Sequence, residues 1–97
     1  MVKCYNSGKI TGFSLPVAAY KFLQADKEIQ ELGYRPVNPI NNGLQWSDPW
    51  LLHMIVDIYN MLRCKVVYFQ RDWKESKGAR IEYRIARFFG KEMIFQK

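Results

Sequence analysis

Strand-like and helix-like hydrophobic patterns alternate along the whole of this chain, and that alternation restricts its fold more than any other feature. Met1 to Asn6 reads as a strand, followed by the glycine-containing loop Ser7-Gly8-Lys9-Ile10-Thr11-Gly12. Ser14 is suited to cap a helix with Pro16 in its first turn, and Leu15, Ala19, Phe22, Ile29 and Leu32 recur at helical spacing until Gly33. Tyr34 to Val37 is a short second strand closed by Pro39, and Asn38 to Trp46 is an irregular loop. Ser47-Asp48-Pro49 opens a second helix that runs to about Arg63, and Lys65 to Gln70 is a β-branched and aromatic third strand. Arg71 to Lys77 is a loop leading into a third helix. Met93 to Gln96 forms a fourth strand after Gly90.

A β-α-β-α-β-α-β order predicts an α/β fold, a small flavodoxin-like three-layer sandwich with a parallel sheet and right-handed crossovers. The expected strand order is 2-1-3-4. At 97 residues the chain makes a single domain, residues 1–97, with no repeat or linker to divide it. In such a sheet ligands bind beyond the carboxyl ends of the strands, where the winding reverses between strands 1 and 3. The loops Ser7 to Gly12 and Arg71 to Lys77 both fall there.

The third helix carries an anomaly. If it starts near Gly78 and each residue advances by roughly 100°, Arg80, Arg84 and Arg87 share one side, while Ile81, Ile85, Ala86, Phe88 and Phe89 cover the other. Glu82 falls within the apolar arc. A carboxylate there is neutral, paired or facing a cleft, because an unpaired buried charge costs several kcal/mol or shifts its pKa upward. Catalytic acids and nucleophiles are often made this way, although a helix N-terminus can also satisfy a carboxylate that does no chemistry.

The second helix is apolar around roughly two thirds of its circumference, from Trp50, Leu51, Leu52 and Met54 to Met61 and Leu62. A helix packed only on a sheet needs an apolar face of about 100°, so the surplus predicts a second buried contact, most simply in a homodimer. A narrow polar stripe of His53, Asp57 and Asn60 remains, in which His53 and Asn60 read as solvent face.

A net charge of +6 admits an anionic partner without naming one. The basic residues are spread out rather than gathered with aromatics, so nucleic acid is not expected and the Arg80, Arg84, Arg87 side reads as solvated surface. Cys4 and Cys64 have no paired Cys or His spacing and read as buried free thiols, with no metal site. There is no apolar run of about 18 residues and no leader-like first segment, which predicts a soluble, cytoplasmic protein without membrane contact.

Taken together, the Ser7 to Gly12 loop, Asn38-Pro39, Asp57 and Trp73-x-x-Ser76-x-Gly78-Ala79-x-x-Glu82 resemble a small bacterial and phage family of unknown function. That family is related to the nucleoside 2-deoxyribosyltransferases. In that superfamily a Glu on the helix after the third strand attacks or stabilises the anomeric carbon of a nucleoside, and Glu82 matches its position. The transferases carry D-x-G-T-x-x-E, with an acid where this chain has Ser76. The related 2-deoxynucleoside 5-monophosphate N-hydrolases resemble S-x-G-x-x-x-E, which Ser76, Gly78 and Glu82 match; there, Ser76, Lys9 and Thr11 would contact a phosphate. Lys65 stands where relatives commonly have an acid. Larger relatives also carry a C-terminal extension that completes the site, which here leaves either a neighbouring subunit or an open site better suited to binding.

The resemblance implies N-glycosidic bond cleavage, by hydrolysis or transfer, in a (deoxy)nucleoside or its 5-monophosphate, without a cofactor. Glu82 and Asp57 are the expected catalytic residues. Ser7, Gly8, Lys9, Ile10, Thr11, Asn38, Trp73, Ser76, Gly78 and Ala79 are the expected substrate contacts, with Trp73 or Tyr5 stacking on the base. The alternative is a non-catalytic nucleotide-binding or sensing module, and an interaction domain using the arginine side of the third helix ranks last.

Overall fold

The computed structural model describes all 97 residues. Four strands, β1 (Lys3–Ser7), β2 (Arg35–Val37), β3 (Val66–Phe69) and β4 (Glu92–Phe95), alternate with three helices, α1 (Leu15–Glu31), α2 (Trp50–Leu62) and α3 (Lys77–Phe88). Single 3₁₀ turns cover Pro39–Asn41 and Trp73–Glu75. All strand pairs are parallel, in the order β2-β1-β3-β4. This is the order that alternation and crossover handedness predict.

Side chains alternate across the sheet, so each face has its own core. Cys4, Val66 and Tyr68 meet Ala25 and Ile29 of α1. Tyr5, Val67 and Phe69 meet Met61 and Cys64 on the α2 side and Ala86 of α3. Every residue of β3 is buried, as a central parallel strand covered on both faces requires. Cys4 and Cys64 are free and buried, and burial pushes the Cys4 thiol up to about 12, which leaves it unreactive.

Several boundaries differ from the sequence reading, each with a local cause. β1 runs on through Ser7, which pairs in register with Phe69 and is fully buried, so Ser7 is a strand residue and not part of the loop. Ser14 sits at the N-cap of α1 in an extended conformation, but its hydroxyl makes no capping bond. Asp48 does not cap α2; its carboxylate accepts from the Gln45 backbone N–H at 2.7 Å, and the helix opens after Pro49. Gly33 ends α1 as expected, at φ +91°, where a side chain would be strained.

Of α2, only Met54, Asp57 and Met61 are buried. Leu51, Leu52, Ile55 and Tyr59 form an exposed apolar stripe, with Leu51, Ile55 and Tyr59 each about three-fifths accessible at 64%, 58% and 60%. No helix is long and apolar enough to cross a membrane.

Candidate active site

The loops that leave β1, β2 and β3 converge at one end of the sheet and, with α2 and the start of α3, enclose a cavity of about 410 Å³. Such a volume is typical of small-molecule sites, about 300–1,000 Å³. The loop after β1 brings Gly8, Ile10, Thr11 and Phe13, the segment after β2 brings Ile40, Leu44, Trp46 and Asp48, and α2 brings Trp50, His53, Met54 and Asp57. Tyr5, Ser76, Gly78, Ala79 and Glu82 add to the lining.

Gly8 is required by close approach. A Cβ there would lie 2.6 Å from Cδ of Gln70, and that side chain is buried and hydrogen-bonded to Asn6 at 2.7 Å and to Lys21, so it has little room to yield.

Glu82 projects from α3 toward the end of β1 and is only 5% accessible. Tyr5 Oη donates to its Oε2 at 2.7 Å, and Ser7 Oγ donates to its Oε1 at 2.7 Å. Tyr5 and Ser7 are two apart on one strand, so they point to the same face and grip both carboxylate oxygens. A carboxylate has about four acceptor positions, and one on each oxygen is left over. Burial pushes the Glu82 pKa up to about 7; the two hydroxyls oppose the rise and the nearby Asp57 charge adds to it. The Tyr5 hydroxyl is itself held well above its ordinary value, chiefly by burial and then by the Glu82 charge, so it stays a donor at any physiological pH.

Asp57 lies on the inner face of α2 and is also buried. Its pKa rises to about 6 through burial, restrained by a 2.9 Å hydrogen bond from Asn42 Nδ2. Ser76 caps α3, its Oγ accepting from the Ala79 N–H at 3.1 Å. Two carboxyl groups raised toward neutrality thus face one cavity with aromatic walls.

A family model described as a domain of unknown function, DUF4406, matches residues 2–95. The chain belongs to the DUF4406 family. A search of curated proteins returns no match.

In this DUF4406 domain the cavity gathers Gly8, Ile10, Thr11, Asp57, Ser76, Gly78, Ala79 and Glu82 from the residues singled out by sequence, with Ser7 directly behind Glu82. Three others lie elsewhere. Trp73 does not line the cavity: its ring stacks on Tyr83 at 4.7 Å and packs against Phe69 and Phe95, which hold it on the β4 side of β3. There it borders a separate groove with Arg80, Tyr83, Arg84, Arg87 and Phe88. Asn38 accepts from the Ile40 N–H and donates to Asp26 at 2.9 Å, serving the turn and α1. Lys9 is also outside the lining; its backbone N–H donates to Asp72, and its ammonium lies 5.6 Å from the centre of the Phe13 ring.

The sequence reading missed Asn42 and His53, and the aromatic wall of Phe13, Trp46 and Trp50. For His53 a signal was present, because it stands four residues before Asp57 on one helix and shares its face. Tyr5, named above as a residue to stack on the base, is a buried β1 residue whose hydroxyl reaches Glu82.

Proposed function

We propose that this domain cleaves the N-glycosidic bond of a (deoxy)nucleoside, with Glu82 as nucleophile or as stabiliser of the sugar cation. The observation that carries the reading is a buried, ionisable carboxylate fixed by two hydroxyls at the wall of an aromatic-lined cavity. The resemblance of the Ser76-x-Gly78-x-x-x-Glu82 pattern to nucleoside-cleaving enzymes agrees with it. As the C1′–N bond breaks, the base departs with the electron pair and takes a proton from solvent. A free lone pair of Glu82 bonds to C1′ or lies against its positive charge, as in retaining glycosidases. Attack by water then releases the sugar and regenerates the carboxylate, whereas attack by a second base gives transfer. Phe13, Trp46 and Trp50 offer stacking surfaces for the base, and Asp57, ionised before Glu82, accepts from the sugar. No cofactor enters this chemistry.

The charge of the cavity favours a nucleoside over its monophosphate. No Lys or Arg lines it, and its charged side chains are Asp48, Asp57 and Glu82. A phosphate inside it would gain the start of α3 but meet these carboxylates, while the ammoniums of Lys9 and Lys21 lie against the Phe13 ring and that of Lys77 against the Trp50 ring, none of them in the lining. Incubation with paired nucleosides and 5-monophosphates, with and without an acceptor base, is expected to release base from the nucleoside at least ~10-fold faster. Equal or faster release from the monophosphate overturns this choice. Binding without release from any of them, unchanged in Glu82→Gln, supports a non-catalytic binding module instead.

The pH dependence follows from the order of the two acids. Glu82 must be ionised to act, so base release rises with pH through about 7, the value to which burial lifts it. Asp57 acts as an ionised acceptor, with its pKa at about 6, so the rate levels off above about pH 8 and holds a plateau. A fall on the alkaline side in a profile from pH 5 to 9 would instead make Asp57 a proton donor to the base.

The protein is read as a cytoplasmic homodimer joined through the stripe of Leu51, Leu52, Ile55 and Tyr59. Four large apolar side chains on adjacent turns make a contiguous patch of the kind that marks an interaction surface. Light scattering should give a dimer mass for the wild type and a monomer mass for Ile55→Lys.

A further inference from the structure

Asn42 uses its side-chain amide completely. Its Oδ1 accepts from the Leu44 backbone N–H at 3.0 Å, and its Nδ2 donates to Asp57 Oδ1 at 2.9 Å and lies 3.2 Å from His53 Nδ1. The orientation of the amide is forced. Flipped, it would place its oxygen against a carboxylate oxygen and its NH₂ against the Leu44 N–H. With one amide hydrogen on Asp57, the other points at His53 Nδ1, which must then be an unprotonated acceptor. The proton of the imidazole is left on Nε2, 2.9 Å from the Gln45 carbonyl oxygen, which can only accept. Each side-chain N–H of Asn42 and His53 then has an acceptor, with the imidazole in its Nε2–H tautomer.

We infer that Asn42 is a positioning residue, holding the Asp57 carboxylate at the cavity and seating His53 as the Nε2–H tautomer so that the cavity-wall loop is fastened to α2. The loop fixed in this way supplies Leu44, Trp46 and Asp48 to the lining. The bond from Asn42 also favours the charged form of Asp57. The ionisable groups around Asp57 are His53 on its own helix, Glu82 on α3 and Tyr5 on β1; of these only His53 shares Asn42 with it. A role for Asp57 in nucleoside binding rests on the function proposed above, whereas the positioning by Asn42 does not.

His53 is the single histidine of the chain, so its imidazole ¹⁵N signals identify themselves. At pH 8 the wild type should show Nε2 protonated and Nδ1 bare. Asn42→Ser keeps an oxygen to accept from Leu44 but is too short to reach Asp57 and His53, so it separates the turn from the lock. In this variant the imidazole signals should move toward a mixture of tautomers, and the Asp57 carboxyl, followed by ¹³C, should titrate about half a unit or more higher. If the protein cleaves nucleosides, the same variant should lose about ten-fold in kcat/KM. A wild-type imidazole protonated on Nδ1, or an Asn42→Ser protein with both signals unchanged, overturns the inference. Should no nucleoside bind or react, the functional reading falls while the two resonances still decide the part played by Asn42. Asn42→Ala, with thermal unfolding followed by circular dichroism, guards against a folding defect, because a shifted Asp57 titration in a normally melting variant counts for the lock.

Discussion

Glu82→Gln is expected to abolish base release, by roughly 10³-fold or more, and at the same time to stabilise the protein above neutral pH. The loss follows from removing the only carboxylate gripped by Tyr5 and Ser7; an amide neither attacks C1′ nor balances its charge. The gain follows from the raised pKa. A folded-state value of about 7 against an ordinary 4.5 means that the native state holds its proton more tightly than the unfolded chain. Stability from this group is therefore fully present below pH 4.5 and declines as pH rises through 7. At about 1.4 kcal/mol per unit, the ionised form at pH 8 costs on the order of 3 kcal/mol. The Gln variant escapes most of that cost, since its oxygen still accepts from one hydroxyl and its NH₂ donates to the other. Urea unfolding should show the variant more stable than wild type at pH 8 and the difference shrinking toward pH 4, with the residual slope belonging to Asp57. A variant less stable than wild type at pH 8 would mean that the native carboxylate is comfortably solvated, removing the basis for its special reactivity. A stable variant that still releases base would remove Glu82 from the chemistry.

The alternation of strand and helix, with the handedness of parallel crossovers, narrows the sheet to a few strand orders, and the expected one, 2-1-3-4, is the one found. Glu82 was legible for a comparable reason: a helix has a fixed period, so one charged residue in its apolar arc stands out, and it is indeed buried. Trp73 was misplaced because the spacing around Ser76 gives a position along the chain but not the direction of the side chain. That direction is set by Phe69, Tyr83 and Phe95 from three other elements. Lys9 likewise lies in a loop, where no periodicity tells which side chains face a ligand. Asn42 was invisible for a third reason. Its partners on α2 stand 11 and 15 residues further on, across an irregular segment, and no local pattern encodes such a contact. The polar stripe of α2 was seen, but with no partner for it in the sequence, solvent was the natural reading for His53.

The second large effect is expected on the opposite face of the sheet, at Asn6, which is fully buried. Its Nδ2 donates to the Phe22 carbonyl at 3.0 Å and to Asp26 Oδ1 at 2.8 Å, and its Oδ1 accepts from Gln70 Nε2 at 2.7 Å. The chain of contacts goes on through Lys21, which donates to Gln70 and pairs with Asp72 at 3.1 Å, and Asp72 accepts from the Lys9 N–H. In the other direction Asp26 accepts from Asn38, just beyond β2. One side chain therefore ties α1 to the ends of three strands, the same ends from which the cavity loops depart. Asn6→Ala leaves the Gln70 amide without its buried acceptor and Asp26 Oδ1 without its donor, with Asn38 still on Oδ2, and should cost about 2–4 kcal/mol in urea unfolding. A loss below about 0.5 kcal/mol, the range of an ordinary surface substitution, would show that water or rearranged side chains replace these bonds at no cost. Asn6→Asp separates hydrogen bonding from size. The new carboxylate still accepts from Gln70 but stands against Asp26, and two carboxyls at that distance cannot both ionise. This variant should be at least as unstable as Asn6→Ala at pH 7 and should regain part of its stability toward pH 4, where a shared proton restores the missing donor. Asn6→Ala has no such proton to gain, so only the Asp variant should show this recovery.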